Sequence, residues 1–95
     1  MGEIQHVQNP VIEYAKANGW FVRRVQWIGR RGAPDTMMCK GGITLWVEFK
    51  DYGEQPEIHQ VREHGRMRGA GLLVFVIDEV IDGKALLDRY DLDDI

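Results

Sequence analysis

Near the start of the chain, apolar residues recur at helical spacing: Ile4, Val7, Val11, Tyr14 and Ala15 predict an amphipathic helix over residues 3 to 18, closed by Asn18-Gly19. Pro10 allows two versions of it. Either the helix runs through the proline with a kink and keeps Gln5 and Gln8, or Asn9 caps a shorter helix with Pro10 at its first position. The period then changes. Residues 20 to 28 read as a first strand, 29 to 35 as a glycine-rich loop and 36 to 40 as a second strand; a hairpin turn at Gly41-Gly42 leads to a third strand over 43 to 50, rich in β-branched and aromatic residues. After the polar stretch 51 to 55, Pro56 suits the first turn of a second helix that runs to about Arg68, with Gly69 and Gly71 ending it. Leu72 to Ile77 is a continuous apolar run reached through a helix, the pattern of a parallel crossover strand. Asp82-Gly83 reads as a turn and 84 to 95 as a short acidic helix. The result is an α/β fold in the order α-β-β-β-α-β, a mixed sheet of about four strands flanked by helices, in one domain over residues 1–95 with no internal repeat.

This arrangement brings chemistry together. A two-residue turn at Gly41-Gly42 folds the strand that Asp35 opens back along the strand that carries Glu48, so the two carboxylates can meet at one sheet end. Glu48 and Lys50 are two apart on a strand and project from one face, their bases ~6 to 7 Å apart. A lone Glu-x-Lys is ordinarily a solvated ion pair. Here it follows Gly29-Arg30-Arg31-Gly32-Ala33-Pro34-Asp35, a basic glycine-rich loop that delivers an acid, and paired carboxylates at such a place suit Mg²⁺ or Mn²⁺.

The net charge of −3 argues against a nucleic-acid partner until its distribution is read. Asp78, Glu79, Asp82, Asp88, Asp91, Asp93 and Asp94 crowd the last eighteen residues, and the remainder is mildly basic. Arg30 and Arg31 flank the glycines just before the acid, where guanidinium forks suit phosphate oxygens. Arg23 and Arg24 point to opposite faces of their strand, so at most one of them shares that role. No apolar run approaches the ~18 residues of a membrane span. The single Cys39 forms no internal disulfide, which fits a reducing cytoplasm. Ninety-five residues make a small core, which a homodimer would support.

Gly32-Ala33-Pro34-Asp35, Glu48-Phe49-Lys50 and Gln60, in this order of elements, resemble the virus-type replication-repair nuclease (VRR-NUC) domain of the PD-(D/E)XK superfamily, in its stand-alone bacteriophage form. The likeness covers about residues 3 to 78. It implies a restriction-endonuclease-like core and an endonuclease that hydrolyses DNA phosphodiester bonds with Mg²⁺ or Mn²⁺. It also implies a homodimer selective for branched DNA such as a Holliday junction, in the host cytoplasm if phage-encoded. By the same resemblance Asp35, Glu48 and the backbone carbonyl of Phe49 hold the metal, Lys50 is catalytic, and Gln60 orients Lys50 or a water. The family places a glutamate on the first helix where this chain has Gln8, so Gln8 is the candidate for that ligand and the number of metals is open. Arg30, Arg31 and Arg24 are the candidate DNA contacts.

Two other functions compete. One is a monomeric flap or nicking nuclease. The other is a nucleic-acid-binding module that keeps the fold with weak catalysis, a reading that the uncharged Gln8 supports.

Overall fold

The computed structural model describes residues 3 to 92. α1 (Glu3–Ala17), β1 (Phe21–Arg24), β2 (Thr36–Lys40), β3 (Ile43–Phe49), α2 (Ile58–Gly69), β4 (Leu73–Ile77) and α3 (Val80–Tyr90) follow one another, with the sheet in the order β1-β2-β3-β4. β1, β2 and β3 form an antiparallel meander, and β4 joins β3 in parallel after the α2 crossover. The α/β class and the mixed four-stranded sheet expected from the sequence are therefore present.

Burial alternates along β3, with Leu45, Val47 and Phe49 inside and Trp46 and Glu48 half-buried, so one sheet face feeds the core. That face packs against Val7, Val11 and Ala15 of α1 and Leu86 and Leu87 of α3. α1 runs through Pro10, so the longer of the two expected helices is the real one and Gln5 and Gln8 remain on it. Val7, Val11 and Ala15 are buried in the core, and their packing outweighs the backbone hydrogen bond that the proline cannot make.

Three boundaries differ from expectation. β1 stops at Arg24 rather than reaching Ile28. Val25 still donates its N–H to the Asp35 carbonyl (2.8 Å), but the chain then leaves the ladder and Trp27 folds onto Trp46, with ring centroids 5.2 Å apart. α2 begins at Ile58, because Glu57 is its N-cap and Pro56 lies outside it. The turn expected at Asp82-Gly83 is absent: both residues lie inside α3, which ends at Tyr90, while residues 93 to 95 of the expected terminal helix lie outside the described residues. Gly83 is there because the helices cross closely; a Cβ at this position would sit 2.5 Å from Val11 Cγ2. A glycine that reads locally as a turn is thus a packing residue.

α3 is tied down at its far end. Lys40 Nζ donates to Asp91 Oδ2 (2.8 Å) and to the Asn18 carbonyl (2.6 Å), and Tyr14 donates its hydroxyl hydrogen to Asp88 (2.6 Å). The five acids of the C-terminal run that lie among the described residues, Asp78, Glu79, Asp82, Asp88 and Asp91, are on or beside α3 and β4 rather than at the sheet end that carries Asp35.

Gly83→Ala is expected to cost about 1–3 kcal/mol by overpacking. Urea denaturation checks this, with a subadditive loss expected when Val11→Ala is added; fully additive losses would show that the two residues do not share the crossing.

Candidate active site

Hairpin register builds the site. Thr36 pairs with Val47 and Lys40 with Ile43, so one further step places Asp35 opposite Glu48. The turn between them, Gly41-Gly42, has φ of 59° and 83°, the left-handed pair that a two-residue hairpin requires. Asp35, Glu48, Phe49, Arg24, Gln8 and Gln5 line one cleft of about 270 Å³ at this sheet end, roofed by the start of α1. The sequence-derived meeting of the two acids is what the fold does.

The cleft is electrostatically loaded. Burial first, and the Asp35 charge second, push the Glu48 carboxyl from its ordinary 4.5 up to about 7, while Lys50 and Arg24 pull it the other way. Arg24 donates to Asp35 Oδ2 (2.8 Å) and Thr36 donates to Asp35 Oδ1 (3.2 Å). Arg24 is thus the arginine of its pair that faces the site. Arg23 stacks on Phe21, its guanidinium 4.0 Å from the ring centre. Lys50, just past the end of β3, acts on Glu48 through its charge and donates its backbone N–H to Ile77 (2.9 Å).

Gln60 has a different partner from the expected one. Its Oε1 accepts the N–H of Glu57 (2.8 Å), a capping contact that fixes the side chain at the start of α2, and its Nε2 donates to Glu48 Oε2 (3.4 Å). The amide therefore holds Glu48 rather than Lys50. Gln8 is 6% exposed, lines the cleft and has no hydrogen-bond partner among the described residues. The amide is thus open to the cleft beside the two carboxylates.

The donor chemistry fits a hard divalent ion: two carboxylates and the Gln8 amide line one cleft, and Phe49, whose carbonyl is the expected ligand, lines it too. Among the described residues no group of three or more His, Cys, Asp or Glu side chains is placed to hold an ion, so neutral oxygens must complete the set. Arg24 competes with the ion for Asp35.

Two residues to which the sequence reading assigned no role of their own support this site. Gly32 rests on α2 so closely that a Cβ there would lie 2.7 Å from the His59 carbonyl oxygen and 3.1 Å from Gln60 Cα. His64, 1% exposed, shares a backbone hydrogen bond with Gly32; burial first and Arg68 second hold its pKa below 6.5. Its Nε2 is buried without a partner. Only the fold brings a histidine on α2 under the loop that ends in Asp35. Arg30 and Arg31 are exposed on that loop.

A mixed sheet with a carboxylate pair and a lysine at its end defines a restriction-endonuclease-like domain. A solved structure described as a VRR_NUC domain matches with a TM-score of 0.83 and 36% sequence identity, over 93% of this chain and 97% of that one. The chain belongs to the VRR-NUC family. It is also 43% identical over 51 residues to p44, described as a candidate nuclease, from Acyrthosiphon pisum secondary endosymbiont phage 1; the match covers 53% of this chain and 55% of that protein's length. No family model matches the chain.

The raised Glu48 pKa has a definite sign for stability. Between the unfolded value of 4.5 and the folded value of about 7, the folded state keeps a proton that the unfolded chain has lost, so Glu48 lowers stability as pH rises through this window. Glu48→Gln in EDTA is therefore expected to be more stable than the parent at pH 8 and to converge with it towards pH 4.5. Urea titrations across this range test it, and parallel pH profiles would remove the strained carboxylate.

Proposed function

We propose that the chain is one nuclease domain, a divalent-metal-dependent DNA endonuclease selective for branched DNA and acting as a homodimer. The observation that carries the catalytic part is the convergence of Asp35 and Glu48 in one open cleft, with their like charges acting on each other and the Lys50 ammonium beside them. Asp35 and Glu48 would hold Mg²⁺ or Mn²⁺, with the Phe49 carbonyl and Gln8 supplying neutral oxygens. When bound, such an ion polarises the scissile phosphoryl group and makes water a nucleophile near neutral pH.

The remaining work falls to the chain. Lys50 sets a fixed positive charge where negative charge accumulates during phosphoryl transfer, an effect that is strongest in a partly dry, preorganised site. Gln60, locked by its contact with Glu57, keeps Glu48 turned towards the cleft. Arg30 and Arg31 bind backbone phosphates, and Arg24, released from Asp35 when an ion arrives, becomes free to join them. The family membership and the likeness to p44 support DNA cleavage. A small domain with few elements to enter a groove suits recognition by phosphate and shape rather than by base sequence.

A second reading, a DNA-binding module with weak catalysis, is favoured by two specific features: the uncharged Gln8 and the Arg24 guanidinium already seated on Asp35.

Cleavage of a branched DNA in Mn²⁺, read beside ion-induced thermal shifts, separates the two. Asp35→Asn and Glu48→Gln are expected to lose both cleavage and the shift, whereas Lys50→Ala keeps the shift and cuts about 10²–10³-fold more slowly. Unchanged cleavage in all three would overturn the assignment. Arg24→Gln should tighten ion binding and weaken DNA binding, and Gln8→Glu should tighten ion binding further; a Gln8→Glu variant with unaltered ion affinity would place Gln8 outside the ligand set.

A further inference from the structure

Ile28 is 99% exposed, an isoleucine standing free at the tip of the loop that joins β1 to β2. The tip is held firmly. On one leg Trp27 packs against Trp46 and donates Nε1–H to the Pro34 carbonyl (2.7 Å); on the other Pro34 is fully buried. The Gly32 contact with α2 pins the same leg. Burying nothing itself, Ile28 is not there to stabilise the fold, and a rigid base presents it outward.

Its surroundings select an occupant. Arg30 and Arg31, just beyond it, are exposed and make no ion pair among the described residues, so the apolar tip is flanked by two unneutralised guanidinium groups. A second cavity of about 510 Å³, lined by Arg24, Val25, Gln26 and Asp35, shares Arg24 and Asp35 with the active-site cleft and climbs the β1 leg of this loop. A second copy of the chain fits poorly here, because a twofold contact centred on Ile28 would press two arginine pairs together. A nucleic acid fits on both counts: phosphates meet the arginines, and the stacked bases behind them offer an apolar slot.

We infer that Ile28 is a wedge that inserts between bases beside the cut, and that this selects DNA with an already weakened stack. The inference rests on the nuclease reading for the position of the cut. Val25 stands level with Asp35, and three residues on span at most ~10 Å. At ~3.4 Å per nucleotide the wedge acts within about three nucleotides of the scissile phosphate. Prying bases apart is costly in intact duplex and much less so at a branch, where stacking is already broken, so the wedge discriminates by energy without reading sequence.

The test uses the whole chain in EDTA with a four-way junction that carries 2-aminopurine at the branch point, where stacking is already broken. A linear duplex with the same base is the reference. The parent is expected to raise 2-aminopurine fluorescence on the junction. Ile28→Ala should abolish that rise and lower the junction-to-duplex affinity ratio about tenfold, while Ile28→Phe retains both. An Ile28→Ala protein with an unaltered rise and ratio overturns the wedge, as does one that changes from dimer to monomer in sedimentation, which would make the tip a contact between copies. A parent that opens the junction base yet cuts nothing in Mn²⁺ upholds the wedge and removes the catalytic reading; a parent that cuts the junction with no rise does the reverse.

Discussion

Two like charges set across a hairpin govern this molecule. Asp35 and Glu48 face each other because the Gly41-Gly42 turn is symmetric about the midpoint between them, so no other register of β2 on β3 would pair them. The fold does not hide the repulsion. It leaves Glu48 half-buried with its carboxyl pushed to about 7, props it with the Gln60 amide, and answers Asp35 with Arg24 and Thr36. A site under that tension has a use for a cation, and the Gln8 amide lines the same cleft.

Around this pair the fold divides its labour by layer. α1 and α3 bury one sheet face and supply the core, and their crossing at Val11 and Gly83 sets how closely they lie. α2 serves the other side. Its first turn holds Gln60 against Glu48, its second carries the buried His64 that meets Gly32, and its backbone carries the loop that ends in Asp35. The same loop that delivers the acid therefore also presents Ile28, Arg30 and Arg31, so the placement of these side chains is tied to that of the carboxylate. A change at Gly32 would disturb both at once.

Periodicity and turn chemistry made much of this legible. The order of elements, the hairpin and the parallel β4 were all readable, because strands buried on alternating faces and a Gly-Gly turn leave strong local signals. The errors came where distant packing overrode those signals. Trp27 abandons the strand pattern for Trp46 and Pro34, and Gly83, a turn residue by local rules, sits inside α3 because Val11 leaves no room for a side chain. Gln60 could be picked out by position, but its attachment to Glu48 depends on where α2 starts, one residue after Glu57.

The primary structure was enough to bring Asp35 and Glu48 together through the Gly41-Gly42 turn, since a two-residue hairpin converts spacing directly into distance. It could not show which arginine faces the cleft, that Gln8 lines it, or that Ile28 stands clear of every neighbour. Those depend on how α1, α2 and the β1–β2 loop pack across the sheet, and contacts between elements far apart in the chain leave no periodic trace in the order of residues.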